Sequence, residues 1–252
     1  MKRNVLVFSA AQYPGIQVCR WLHDSMLFHP IAAASFSNHS RFIAEDYIDN
    51  LPFVLETSFV DTLNVIIKER KIEFIIPTDD TIAVVLTENM AKIKAQIVCS
   101  PYETAKLCRY KSLTYEALRG LSFVPKVYTQ LNDAQYNDFP LFAKLDNSQG
   151  SQGTKKIENR DEMKNILESD KKMVLCEYLP GEEYTVDCFT NRNGALLFMN
   201  PRRRVRIQYG VSVRAESVDD PTEFIDIIQQ IKERITFRGY WFVQLKRDKN
   251  GN

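Results

Sequence analysis

Lys144 stands inside a short apolar run, Leu141–Leu145, and a loop of small and polar residues, Asn147 to Gly153, follows it. Glycines such as Gly150 and Gly153 let a backbone approach an anion closely, and successive N–H groups in such a turn form an anion-binding nest. A lysine beside the nest adds a point charge suited to phosphate. Thr154–Ile157 then leads away as a second extended run, so the loop joins strand to strand. The Walker spacing G-x-x-x-x-G-K-[ST] is absent, and nest and ammonium would hold phosphate without a helix dipole. A glycine-bearing hairpin with a solvated lysine is the plainer reading of the same residues.

Two more clusters carry chemistry. Val174–Asp187 reads VLCEYLPGEEYTVD, a strand ending at Glu177-Tyr178-Leu179, a turn at Pro180-Gly181, and a restart at Glu183. Period-two alternation puts Glu183, Thr185 and Asp187 on one face and Tyr184, Val186 and Cys188 on the other. These acids suit cations, ribose hydroxyls or a metal, and equally an ordinary solvated sheet face. Further on, Arg202, Arg204 and Arg206 share a strand face, and guanidinium forks suit phosphate or carboxylate. A charged, solvated edge strand competes with that reading. A nucleic-acid patch is disfavoured, because the chain is near neutral and no aromatics interleave with the arginines. Asp79 and Asp80 follow a strand, where open α/β sheets bind ligands, but either also suits the cap of the next helix.

The elements that must position these residues alternate in type. Val5–Phe8 reads as a buried strand, Ile16–His23 as a helix and Pro30–Phe36 as a second strand. A helix over Val60–Arg70, a strand at Glu73–Pro77, a helix from Thr81 to Lys94 and a strand at Gln96–Cys99 follow. This rhythm predicts a parallel sheet with helices on its faces. Only Gly15 stands in the first turn, so the dinucleotide fingerprint is missing. Two short helices, Pro101–Arg109 and Lys111–Leu118, lead to a smaller unit opening with a strand at Lys126–Thr129 and closing with one at Met173–Leu179. Asn193-Gly194 predicts a hairpin turn into a strand at Ala195–Met199. Thr222–Thr236 predicts a helix started by Asp219 or Asp220, with Pro221 in its first turn and Phe224, Ile227, Ile228, Ile231 and Ile235 as its apolar stripe.

Bulk properties exclude several classes. The 252 residues are 44% hydrophobic and 26% charged with net charge +1. That composition gives no general pull toward nucleic acid or an anionic membrane. No apolar run approaches a membrane span, and the basic start MKRNVLVFSAAQ runs into a strand-loop-helix pattern rather than a signal peptide. Cys19, Cys99, Cys108, Cys176 and Cys188 show no C-x-x-C spacing and read as buried thiols of a reducing, cytoplasmic compartment. His23, His29 and His39 lack metal spacing.

Taken in order, these stretches resemble the ATP-grasp superfamily, and within it the carbamoyl-phosphate-synthetase-like carboxylate–amine ligases. Cys108-Arg109-Tyr110-Lys111 supplies the opening lysine, and Leu121-Ser122-Phe123-Val124-Pro125 resembles the entry into the small lobe. Phe139 to Lys144 resembles the F-P-x-x-x-K strand, Glu177 to Asp187 resembles E-x-x-x-G-x-E-Y-T-V-D, and Gly239 to Gln244 resembles G-x-x-x-V-Q. The resemblance implies an α/β chain: a Rossmann-like parallel-sheet domain over 1–110, then an incomplete two-lobed α+β ATP-grasp domain with its small lobe at 111–179 and large lobe at 180–252.

It also implies roles. Lys111 and Lys144 would contact the phosphates of ATP, and Ser148, Gly150, Ser151 and Gly153 would fold over them as a lid. Glu177, with the backbone of Tyr178 and Leu179, would read the adenine edge, Glu183 would hold the ribose, and Gln244 would lie near Mg²⁺. Arg204 or Arg206 would clamp the γ-phosphate or the acid substrate, and Gly210-Val211-Ser212 would add a substrate-loop element. The implied activity is an ATP- and Mg²⁺-dependent ligase that makes an acyl phosphate from a small carboxylate and passes it to an amine or ammonia. A non-catalytic ATP-binding module is the alternative. No nucleic acid or membrane partner is implied, and a homodimer is admitted. Asn250-Gly251 reads as a hairpin turn without its returning strand, which in the family carries an E-x-N-P-R motif, so the sequence is expected to be cut short.

Overall fold

The computed structural model describes residues 1–37, 39–208 and 210–251; Asn252, at the end of the expected terminal turn, lies outside them. Two compact units result, Met1–Arg109 and Tyr110–Asn252.

In the first unit, strands β1 (Arg3–Phe8), β2 (Phe28–Ala33), β3 (Tyr47–Ile48), β4 (Ile72–Pro77) and β5 (Gln96–Ile97) form a parallel sheet in the order β3-β2-β1-β4-β5. Helices α1 (Tyr13–His23), α2 (Phe59–Glu69), α3 (Asp80–Glu88) and α4 (Tyr102–Arg109) follow β1, β3, β4 and β5. Side chains of a strand point alternately to its two faces. Leu6 and Phe8 accordingly enter a core with Phe59, Leu63 and Ile67 of α2 and Leu86 of α3. Val7 points the other way and packs with Cys19, Val18 and Leu22 of α1. Burial on both faces explains why β1 reads as an unbroken apolar run.

Asp79 turns out to be a cap, its Oδ1 accepting from the N–H groups of Thr81 (2.8 Å) and Ile82 (3.3 Å). Helix α3 then stops at Glu88, well short of the expected Lys94. Asn64 of α2 is the cause: its Nδ2 donates to the Lys92 carbonyl and its Oδ1 accepts from Lys94 N–H, both at 3.0 Å. That tertiary contact holds the residues after α3 in turns.

The second unit holds two antiparallel sheets. Helix α5 (Lys111–Ala117) precedes β6 (Val127–Tyr128), β7 (Leu141–Leu145), β8 (Lys155–Ile157), α6 (Arg160–Leu167) and β9 (Met173–Glu177), and the strands order as β6-β9-β7-β8. Leu141 and Ala143 of β7 pack with Ile157, Leu175 and Met163 of α6. By alternation, Phe142 and Lys144 face away from α6. The larger sheet runs β12-β11-β10-β13, built from β10 (Glu183–Thr190), β11 (Leu196–Gln208), β12 (Val211–Ser217) and β13 (Gly239–Lys246). Helix α7 (Thr222–Arg234) buries Phe224, Ile228 and Ile231, and the Phe224 ring lies 5.3 Å from that of Tyr184 on β10. Asp220 starts α7 by accepting from Thr222 N–H at 3.0 Å, whereas Pro221 sits at the N-cap rather than inside the first turn.

Two expectations need correction here. The strand expected at Ala195–Met199 continues through Pro201 and the arginines to Gln208. Proline is tolerated because it lies past the last β11–β12 pair, Arg202 with Ser217, where no ladder donor is required. Gly210-Val211-Ser212 is no separate loop element: Gly210 belongs to the turn and Val211 opens β12.

Gly15 generates a test of the first unit. Glycine to alanine inside a helix ordinarily gains about 1 kcal/mol. A Cβ at Gly15, however, would lie 2.3 Å from the Ser9 carbonyl oxygen and 2.7 Å from Ala10 Cα, both backbone atoms. Gly15→Ala is expected to lower the denaturant midpoint of unfolding, and a raised midpoint would contradict the close packing of α1 on the loop after β1.

Candidate functional site

The site grows from the end of β7. Asp146, buried, follows that strand and accepts from Ser112 twice, from its N–H at 2.8 Å and from its hydroxyl at 2.9 Å. Lys111 N–H in turn donates to the Asp146 carbonyl at 3.0 Å. These bonds satisfy orphan donors at the start of α5 and place its first residue beside the glycine loop. The Lys111 ammonium donates to the carbonyls of Ser148 (2.7 Å) and Asp146 (3.3 Å). Residues Gly150, Ser151 and Gly153 adopt positive φ of 61°, 59° and 66°, which turns the loop back toward β8.

Helix α5 carries a second group to the same place. Tyr115 lies four residues after Lys111, one turn along the same face, and Lys144 Nζ donates to its hydroxyl. Cys176 of β9, buried, is the third titratable group at this point. Burial works against the charge of Lys144, but Tyr115 and Cys176 outweigh it and its pKa lies above the ordinary lysine value. Burial pushes the Tyr115 phenol and the Cys176 thiol up. At neutral pH the trio is therefore ammonium, neutral phenol and neutral thiol.

Residues 178–182 join the two sheets. Glu177 ends β9 opposite Leu141, and Tyr178 receives the Phe142 ring at 6.3 Å and Lys156 Nζ at 5.2 Å from its centroid. Leu179 follows in the same half-buried linker. On β10, Tyr184, Val186 and Cys188 are buried as alternation requires; Thr185, on the other face, is buried as well, and Glu183 and Asp187 meet arginines of β11. Arg202 grips Asp187 through two nitrogens, and Arg204 pairs with Glu183. Arg204 has a side chain only 4% exposed; it also donates to the Gly210 carbonyl at 2.6 Å, and its Nε has no hydrogen-bond partner among the described residues.

Gly210 connects the two sheets of this unit. A Cβ there would lie 2.4 Å from the Gly150 carbonyl carbon, so the β11–β12 turn touches the glycine loop backbone to backbone. One set of bonds thus gathers Lys111, Lys144 and Ser148, another gathers Glu183 and Arg204, and the Gly150–Gly210 approach brings the two together. Arg206 and Gln244 join neither set among the described residues. Arg206 is exposed at a register shift opposite Arg214, and Gln244 is exposed opposite Thr185.

Known proteins share this fold. Residues 169–252 match the family model described as ATP-grasp in the biosynthetic pathway with Ter operon. The whole chain superposes on N5-carboxyaminoimidazole synthetase from Staphylococcus aureus complexed with ADP, with a TM-score of 0.73, 16% identity and 69% of that chain covered. This chain has the ATP-grasp fold. Biotin carboxylase from Campylobacter jejuni, solved as a β,γ-ATP complex, gives a TM-score of 0.73 at 14% identity, with 100% of this chain and 63% of that one covered. Over 118 residues the chain is 28% identical to the vancomycin/teicoplanin A-type resistance protein VanA of Enterococcus faecium, spanning 43% of this chain and 34% of VanA. The match thus takes in about a third of that relative's length.

On an ATP-grasp frame the residues fit a polyphosphate better than a resident metal. Magnesium is held by carboxylates together with substrate phosphates. Here Glu183 and Asp187 are engaged by arginines, Gln244 brings only an amide, and no group of three or more His, Cys, Asp or Glu among the described residues could hold a metal. Nor, among those residues, is any helix long and apolar enough to cross a membrane. Sequence reasoning passed over Asp146 and Tyr115. The i, i+4 spacing from Lys111 was a usable signal for Tyr115; Asp146 had none, because its partner Ser112 is distant in sequence.

Removing the Asp146 carboxylate tests the scaffold. Asp146→Ala leaves Ser112 N–H and the α5 start without their acceptor, at a cost of about 1–3 kcal/mol. Hydrogen exchange should quicken in α5 and in residues 147–153 together. Unchanged protection of α5 would contradict the role given to Asp146.

Proposed function

We propose that this chain binds ATP in its second unit and contributes to a ligase that activates a small carboxylate as an acyl phosphate and transfers it to an amine or ammonia. The observation that carries the reading is the pair of ammonium groups held by α5: Lys111 donates into a loop with three left-handed residues, and Lys144, on the strand that leads into that loop, donates to Tyr115 one helical turn from Lys111. In this reading both lysines neutralise the phosphates and the N–H groups of Ser148 to Gly153 close over them. Glu177 and the backbone of Tyr178 and Leu179 read the adenine edge, and Glu183 reaches the ribose. Arg206, exposed, or Arg204, whose buried Nε is unpartnered, serves the γ-phosphate or the acid.

A carboxylate oxygen attacks the γ-phosphorus and ADP leaves. The amine then attacks the acyl carbon, phosphate departs with the C–O electrons, and the amine loses a proton. Positioning and charge neutralisation by the named cations supply the catalysis. Magnesium would arrive with ATP, with Gln244 beside it. The reading also places the chain in the cytoplasm, in keeping with its free thiols, and admits a homodimer.

A nucleotide-holding module without turnover is the second reading. It is favoured by the pairing of Glu183 and Asp187 with arginines, which leaves those acids engaged within the protein. Two measurements separate the outcomes. Lys144→Ala should weaken ATP binding by at least ~10-fold, the scale of one charge-assisted contact; unchanged affinity would sink the phosphate assignment. ADP release that requires both a carboxylate and an amine supports the ligase, and binding without release supports the module.

A further inference from the structure

We infer that Tyr115 is a positioning residue for the phosphate-binding ammonium of Lys144, its hydroxyl holding Lys144 Nζ in place between α5 and β9. The inference deepens the reading above and rests on it. Two independent features of the fold bring the pair together. Period-two alternation along β7 turns Lys144 away from the α6 core, and the Asp146–Ser112 bonds set α5 so that Tyr115 stands over that face. A lysine side chain has several rotatable bonds and no fork to orient it, so a fixed acceptor near its end decides where the charge rests.

Tyrosine can do this because a phenol oxygen keeps lone pairs with which to accept from the ammonium. The titratable groups facing Lys144 are Tyr115 from α5 and Cys176 from β9, with Glu177 of β9 acting on Cys176. The other charged groups of α5 are turned to other partners, Lys111 to the loop carbonyls and Glu116 to Arg119.

A pH consequence follows. Phosphate binding needs the ammonium, so affinity is full below the Lys144 pKa and lost as pH rises through it. Tyr115 holds that pKa up against burial. In Tyr115→Phe the burial remains and the acceptor is gone, so the pKa falls and the alkaline loss of ATP affinity moves to lower pH, by about one unit if the lost interaction is worth a factor of ten.

The test uses the full chain labelled with ¹³Cε-lysine. The wild-type Lys144 signal should titrate above the ordinary 10.5, and Tyr115→Phe should bring it down. The same variant should lose affinity for ATP while keeping it for adenosine, which has no phosphates; a merely structural loss would weaken both. An unchanged titration in Tyr115→Phe overturns the inference, as does equal weakening of ATP and adenosine. If the variant does not fold, the wild-type titration decides alone, and a Lys144 pKa at or below the ordinary value overturns the pairing. A chain that binds no nucleotide removes the proposed function, while the lysine titration still settles the pairing.

Discussion

A single buried carboxylate fixes where the cations of the second unit stand. Asp146 sits at the point where β7 gives way to the glycine loop, and its two bonds to Ser112 anchor α5 against that point. Strand and helix are thereby locked in one relation, and everything that depends on it is inherited: Lys111 over the loop carbonyls, Tyr115 over Lys144, and Lys144 turned away from the small-sheet core. Buried carboxylates are costly unless their oxygens are hydrogen-bonded, and here both oxygens accept. The same residue therefore serves the stability of α5 and the geometry of the loop.

The large sheet adds a second layer of constraint. Arginines of β11 meet acids of β10, Arg202 with Asp187 and Arg204 with Glu183, so a face that reads as a cluster of free charges is mostly internally neutralised. Arg204 carries this neutralisation across to the small sheet, since its hydrogen bond to the Gly210 carbonyl seats the turn that touches Gly150. Breaking a buried pair by removing one partner is far more damaging than the net worth of the pair. Movement of the loop is thus tied to the arginine row through backbone contact, where no side chain larger than hydrogen fits.

Some of this was legible in the residues themselves. The bounds of β7 follow from Pro140 on one side and the glycine loop on the other, and the inward set Tyr184, Val186, Cys188 follows from alternation alone. The parallel sheet of the first unit follows from its strand–helix rhythm. Asp79 was readable as a cap. What escaped depends on contacts between residues far apart in sequence: Asn64 ending α3 early, Ser112 holding Asp146, and β12 supplying the reason that Pro201 can sit inside a strand. β12 itself had a local signal, the alternation Val211, Val213, Ala215 against Ser212, Arg214, Glu216, which the preceding glycine masked as a loop. Burial of Arg204 had none, because nothing in a run of arginines says which one a partner strand will cover.

Under the proposed function a triphosphate would lie where the two sheets of the second unit meet, beside the ammonium groups of Lys111 and Lys144. The most direct test is a crystal structure of the chain with a non-hydrolysable ATP analogue. The account predicts phosphate density within hydrogen-bond reach of Lys144 Nζ and of the N–H groups of residues 148–153, with the adenine at the backbone of Tyr178 and Leu179. Phosphates bound instead at the strand ends of the first unit, or a cleft closed by the protein's own side chains, would contradict it.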